Sequence, residues 1–258
     1  MYYEMIGFAP NSLSEPTSAP PLLDLDQDAL FLDFDGTLID LAPSPQAIEV
    51  PDDLHRLLAR LHTQLGGRLA LVSGRSVADL QKHLPSFPGI LVGGHGAETR
   101  QAGRLHRHPL ADSALIARVQ FLVEEFTGLH PGVEVERKPT GVVAHYRQAP
   151  EAQQTLYKFF ETLTDSHRDL HLQMAHCAYE LRPADAGKDR AVARVMDGKV
   201  FKGARPVFIG DDLTDEPALM WCQDHDGLAI KVGDAATCAT CRVDTPQDVR
   251  SLLERSLA

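Results

Sequence analysis

The sequence predicts an α/β protein: a doubly wound, mostly parallel sheet with a smaller α+β segment inserted into it. Three observations carry that expectation. Short, wholly apolar runs (Ala29-Leu30-Phe31-Leu32, Leu69-Ala70-Leu71-Val72, Ile90-Leu91-Val92 and Pro206-Val207-Phe208-Ile209) each stop at a polar or glycine-rich turn, the pattern of parallel strands buried on both faces. Helical periodicity lies between them, and strand, helix, strand with short joints makes βαβ units whose crossover is right-handed. The middle of the chain then changes character to an α-β-β-α-β-β order, which suits an antiparallel sheet with helices on one face.

Residues 1–27 are rich in Pro, Ser and acidic side chains and lack apolar periodicity, so they are expected to form a flexible arm. The run 29–32 is the first strand and ends at Asp33. Residues 52–65 carry Leu54, Leu57, Leu58, Leu61 and Leu65 at helical spacing, and Gly66-Gly67 stops them. The strand 69–72 runs into Ser73, and 90–92 follows. Residues 111–126 read as a helix, 133–136 and 142–146 as strands around a turn at Pro139-Thr140-Gly141, 151–164 as a second helix, and 170–174 with 178–181 as a second strand pair. The core resumes with a helix over 189–196, the strand 206–209 running into Gly210-Asp211, and Gly227-Leu228-Ala229-Ile230. The expected division is therefore an arm at 1–27, a core from 28–108 and 185–258, and an inserted domain at 109–184.

With 36 acidic and 25 basic residues, the net charge of −11 repels nucleic acid and anionic lipid. An acidic chain that handles an anionic substrate must collect local positive charge from a metal ion or a few placed Lys and Arg. No apolar run approaches the ~20 residues of a membrane span, and the first residues lack the pattern of a signal peptide. A cytoplasmic address, with a monomer favoured, is the expectation. Four scattered cysteines are too few for a disulfide framework, and Cys238-x-x-Cys241 alone lacks the further ligands zinc needs. Gly187-Lys188 has no P-loop spacing, Gly94-His95-Gly96 has no third glycine for a dinucleotide turn, and Ser73 is not in a G-x-S-x-G elbow. Asp24, Asp26 and Asp28 start like a calcium loop, but Ala29 stands where glycine is required.

Asp33-Phe34-Asp35-Gly36-Thr37 directly follows the first strand. Ligands of open α/β sheets bind beyond the carboxyl ends of the strands, and alternation places Asp33 and Asp35 on one side with Phe34 turned away. Two close carboxylates require a cation or separated pKa values. Ser73-Gly74-Arg75 follows the second strand, where a hydroxyl and N–H groups at a helix start suit a phosphate oxygen. Gly210-Asp211-Asp212-Leu213-Thr214-Asp215-Glu216 adds a carboxylate cluster suited to a hard cation, and Lys188 opens a helix. Singly, Ser73 reads as a helix cap and Lys188 as a surface charge; together, and in this order, they mark a site.

The ordered set DFDGT, VSGR, Lys188 and GDDLTDE resembles the four signature motifs of the haloacid dehalogenase superfamily, over nearly all of the chain after the arm. The insertion resembles the αββαββ cap of its sugar-phosphatase branch. Further stretches are similar to the trehalose-6-phosphate phosphatase family: Asp35-Gly36-Thr37-Leu38 with Ala42-Pro43 and Pro45, Gly94-His95-Gly96-Ala97-Glu98, Glu136-Arg137-Lys138-Pro139, His145-Tyr146-Arg147 and Glu180-Leu181-Arg182-Pro183. Gly187-Lys188-Asp189 departs from the K-G-x-A form common there.

The resemblance implies a Rossmann-like core and a phosphatase that uses Mg²⁺ on a small sugar phosphate. Asp33 would be the nucleophile and Asp35 the acid/base. Asp33, the backbone carbonyl of Asp35, and Asp211 would hold the metal, with Asp212 and Asp215 orienting it. Ser73 and Lys188 would bind the phosphoryl oxygens, beside Gly36, Thr37, Gly74, Arg75 and His95. Glu136, Lys138, His145, Arg147 and Glu180 would select the sugar. A phosphatase for another sugar phosphate, or a non-catalytic sensor, are the competing expectations; the intact Asp33 and Asp35 argue against the sensor.

Overall fold

The computed structural model describes residues 18–41, 48–175 and 177–258. Ala42, Pro43, Pro45 and residues 1–17 of the expected arm lie outside the described residues. The strands are β1 (Asp28–Leu32), β2 (Leu69–Val72), β3 (Ile90–Gly93), β4 (Glu98–Gln101), β5 (Arg104–Arg107), β6 (Glu134–Lys138), β7 (Gly141–His145), β8 (Leu170–Ala175), β9 (Ala178–Pro183), β10 (Arg205–Gly210), β11 (Leu228–Val232) and β12 (Cys241–Val243). The helices are α1 (Leu54–Gln64), α2 (Val77–His83), α3 (Ala114–Thr127), α4 (Gln153–Ser166), α5 (Lys188–Met196), α6 (Glu216–Asp224) and α7 (Pro246–Ser256).

The larger sheet runs β12-β11-β10-β1-β2-β3-β4-β5, and the pairs from β12 through β3 are parallel. Chain order climbs in one direction from β1 to β3 and in the other from β10 to β12. The reversal falls between β1 and β10, and such a switch point opens a crevice at the carboxyl ends of the two strands.

Alternation along β1 sends Leu30 and Leu32 to one face and Ala29 and Phe31 to the other, all fully buried. The first pair packs with α1, α2 and α7 through Leu54, Leu58, Leu80, Val249 and Leu252. The second packs with α5 and α6 through Val192, Val195 and Leu219. Two cores on opposite faces make the sheet doubly wound.

The described part of the arm departs from expectation. Leu23 is buried in the first core, its N–H donates to Ser256 Oγ at 3.0 Å, and Ser18 bridges to Cys241. Its apolar residues are too few to show a period, but they meet a core that the rest of the chain supplies.

The described residues divide into two compact units: those up to 96 with 100–104 and 188–258 form one, and 97–99 with those of 105–187 form the other. In the second unit a four-stranded sheet runs β6-β7-β9-β8, antiparallel throughout. Its buried Val142, Ala144 and Leu181 lie on one face, and α3 and α4 pack against these strands. Register and period place Glu136, Lys138, Val143, His145, Glu180 and Gln173 on the opposite face. Among the described residues no helix is long and apolar enough to cross a membrane.

Candidate active site

β1 ends one residue before Asp33, whose backbone N–H donates to Ile209 O on β10 at 3.0 Å. Both strands of the switch point therefore hold this residue. Phe34 turns into the core, fully buried, while the Asp33 side is left toward the carboxyl end with only 4% exposure.

Lys188, the first residue of α5, is equally buried, and its Nζ donates to Asp33 Oδ1 at 2.7 Å and Asp215 Oδ1 at 2.6 Å. These charge-assisted bonds fix both carboxylates. Asp215 Oδ2 accepts from the Asp212 N–H at 3.0 Å, half of a reciprocal cap on the short turn Leu213–Asp215. Thr37 Oγ1 donates to Asp211 Oδ1 at 3.3 Å.

Two glycines permit this packing. A Cβ on Gly36, whose φ is +76°, would stand 2.1 Å from Asp211 Oδ2, and one on Gly210 would stand 2.4 Å from the Asp215 carboxyl carbon. Oxygens of Asp33, Asp211 and Asp215 consequently lie within 4.8 Å of one another.

One ammonium faces three carboxylates there. Burial pushes the Asp33 carboxyl well above its ordinary range against the attraction of Lys188, and Asp215 and Asp211 push the same way. Burial also raises Asp211, to about 6, with Asp215 adding to it. Burial alone would lower the Lys188 ammonium, but Asp215 and Asp33 outweigh it and hold it charged. A cluster of hard, mutually repelling oxygens fits a divalent cation, whose charge would reverse the shifts on the acids.

The Asp35 carboxylate points elsewhere. Arg75 grips it through Nε at 2.6 Å and Nη2 at 2.7 Å, holds Asp79 through Nη1 at 2.6 Å, and stacks over Phe34. Ser73 is buried, and its Oγ accepts from the Arg75 N–H at 3.2 Å. It does not open a helix as expected: Ser76 caps α2, and Ser73 precedes it by three residues because the chain first turns back to bond Gly94 N–H to Arg75 O. His95, at φ 52°, donates its N–H to Ser73 O, and a Cβ on Gly74 would stand 2.6 Å from its ring. The carboxylate of Asp212 lies outside the cluster of three and serves the cap of its own turn.

In the second unit, Lys138 Nζ donates to both oxygens of Glu180 at 3.0 and 3.1 Å, and His145 Nε2 meets Glu136 Oε2 at 3.1 Å. The His145 bond holds the Glu136 carboxyl below its usual range. Arg147 follows β7 and is exposed.

Known proteins resolve what this arrangement belongs to. The family model for trehalose-phosphatase matches residues 31–247. The chain belongs to the trehalose-phosphatase family. It is 35% identical to the trehalose-6-phosphate phosphatase of Escherichia coli (strain K12) over 94% of this chain and 91% of that protein. It is 38% identical to the probable trehalose-phosphate phosphatase of Sinorhizobium fredii over 89% of this chain and 87% of that one. Among solved structures, the C-terminal domain of the C. albicans trehalose-6-phosphate phosphatase superposes with a TM-score of 0.77 at 21% identity, over 95% of this chain and 99% of that one. A haloacid dehalogenase-like hydrolase from Bacteroides thetaiotaomicron superposes at 0.66 and 16% identity, over 89% of this chain and 99% of that one. Membership makes this chain a phosphoric monoester hydrolase on the haloacid dehalogenase fold.

Sequence reading missed the pairing of Arg75 with Asp35 and a buried ion pair, Glu216 with Lys231 at 3.2 Å. No local pattern announces the first, because 40 residues separate the partners. The second had a signal: a lysine inside the otherwise apolar strand Leu228-Ala229-Ile230-Lys231-Val232.

Proposed function

We propose that the chain hydrolyses trehalose 6-phosphate to trehalose and phosphate, with Asp33 as nucleophile. The observation that carries this reading is a buried Asp33 at the switch point, held by Lys188 at 2.7 Å. Asp33 attacks phosphorus, the bond to the sugar oxygen breaks, and that oxygen leaves with a proton from Asp35. Asp35 then takes a proton from water, the water oxygen bonds to phosphorus, and the bond to Asp33 breaks. In the carboxylate form gripped by Arg75, Asp35 is ready for the second step; giving a proton in the first requires it to turn from Arg75.

Lys188 favours the ionised form of Asp33 against the effect of burial and offsets charge on the phosphoryl oxygens, to which Ser73 adds its hydroxyl and the Gly74 region its N–H groups. Asp33, Asp211 and Asp215 are the side chains that would hold Mg²⁺, with the backbone carbonyl of Asp35 as a further ligand; the ion would supply neutralisation between a carboxylate and an anionic ester. Asp212 shapes the loop that carries two of those ligands. Glu136, Lys138, His145, Arg147 and Glu180 take the sugar hydroxyls. Their shared, helix-free sheet face supports that role for Glu136, Lys138, His145 and Glu180.

The test is phosphate release from trehalose 6-phosphate, glucose 6-phosphate and sucrose 6-phosphate, with and without Mg²⁺. Turnover should be fastest on the trehalose ester and should vanish with a chelator. Equal or faster release from another ester would reassign the substrate.

A further inference from the structure

A second buried lysine stands one strand away from the carboxylate cluster. Lys231, on β11, is in register with Gly210, the residue before Asp211. It is 1% exposed and Glu216 is fully buried. Its Nζ donates to Glu216 Oε1 at 3.2 Å and reaches the Asp212 carbonyl at 3.4 Å. The other Glu216 oxygen accepts from Thr237 Oγ1 at 3.1 Å and from the Cys238 N–H at 2.8 Å. Thr237 Oγ1 in turn accepts from the Ala239 N–H at 3.0 Å.

Desolvating two charges is costly, and apolar residues of similar volume would pack this strand without that cost. The steps above use neither group. Yet the pair brackets this loop: Lys231 bonds Asp212, which directly follows Asp211, and Glu216 directly follows Asp215.

We propose that the Lys231–Glu216 pair is a positioning device for the divalent-cation site. It fixes the backbone from Asp211 to Glu216, and so the aim of the Asp211 and Asp215 carboxylates. The inference rests on reading the Asp33, Asp211 and Asp215 cluster as that site. Positioning and bare electrostatics separate when the pair is removed together. The ammonium and the carboxylate carry opposite charges, so acting by charge alone their joint removal would leave cation binding nearly unchanged. Acting by position, their joint removal loosens binding.

The experiment measures Mn²⁺ binding to the full chain by electron paramagnetic resonance, without substrate, alongside Tm. The double variant Lys231→Met/Glu216→Gln removes both charges together and keeps both shapes. Disturbing groups that orient metal ligands weakens affinity about 10- to 100-fold, and that is the loss expected. A gentler pair covers the case in which the double variant fails to fold: Thr237→Val should weaken Mn²⁺ binding about 3- to 10-fold through one lost hydrogen bond, and Thr237→Ser should restore it. Mn²⁺ affinity that is unchanged or tighter in the folded double variant, or unchanged in Thr237→Val, would overturn the inference while leaving the metal site standing. No Mn²⁺ binding by the unsubstituted chain would overturn the metal reading and this inference together.

Discussion

Asp33 shares a buried site with Lys188 and two further carboxylates, so its replacement by Asn should leave the fold and remove the chemistry. An amide oxygen is a poor nucleophile, and turnover should fall below about a hundredth, a loss of at least ~3 kcal/mol in the barrier; steady-state phosphate release checks it. Asp211 makes a prediction about pH. Its carboxyl is raised from 3.8 to about 6, chiefly by burial, so the folded chain holds that proton more tightly than the unfolded one. The resulting stability is fully present below about pH 4 and is lost as pH rises through about 6. In the presence of a chelator, urea unfolding should show the chain losing on the order of 1–2 kcal/mol across that window relative to Asp211→Asn, after allowing for solvent screening. If Asp211 holds the cation, Mg²⁺ should stabilise the chain progressively more as pH rises through the same range, because a carboxylate binds it and a carboxylic acid does not. A Mg²⁺ effect that shrinks with rising pH would remove Asp211 from the metal site.

At the scale of elements, the site depends on how closely loops can approach at the carboxyl ends of β1 and β10. Gly36 makes one of those approaches. Gly36→Ala adds a methyl group where Asp211 Oδ2 stands and places a side chain at φ +76°. Overpacking of this kind costs about 1–3 kcal/mol, and here the displaced group is one of the three clustered carboxylates. We expect a lower Tm together with at least tenfold weaker Mn²⁺ binding; a Tm loss with unchanged binding would mean that Asp211 moves without consequence. Sequence patterning served the buried strands well, because β1, β2, β3 and β10 are apolar runs with no competing period. It passed over β4 and β5, Glu-Thr-Arg-Gln and Arg-Leu-His-Arg, which carry no apolar face to give a period, although Glu98 and Arg107 pair across them at 3.3 Å. The helix α7 was also passed over, although Thr245, Pro246 and Asp248 announce its start through a reciprocal cap and Val249, Leu252 and Leu253 fill its buried face.

For the whole molecule, the question is which residues choose the substrate and which perform the reaction. If Glu136, Lys138 and Arg147 hold sugar hydroxyls, replacing any one by Ala should lower kcat/KM for trehalose 6-phosphate by a charge-assisted hydrogen bond, about 1.5–3 kcal/mol or roughly 10- to 150-fold. Hydrolysis of p-nitrophenyl phosphate should barely change, since that ester offers no sugar to lose. A parallel fall for both substrates would show that these side chains support the chemistry or the fold instead. Lys138 is the sharpest case, because its bond to Glu180 spans two strands of one sheet, and its loss leaves Glu180 buried without that ammonium.

The sequence by itself determined the fold class, the strand ends where chemistry belongs, and the residue types gathered there. Buried strands and strand-end motifs are local signals, written in a few adjacent residues. Which partners Asp35, Asp212 and Lys231 meet was decided only by tertiary structure. Asp35 and Asp212 stand in the same motifs as Asp33 and Asp211, and nothing local separates a carboxylate in the cluster from one turned to Arg75 or to a backbone N–H. That separation depends on partners brought together by strand order: β10 lies beside β1 and β11 beside β10, which places residues near 33, 188, 211 and 231 in one neighbourhood. Hydrogen-bond geometry across such distances has no period in the chain, and so it could be read only after folding had put the partners side by side.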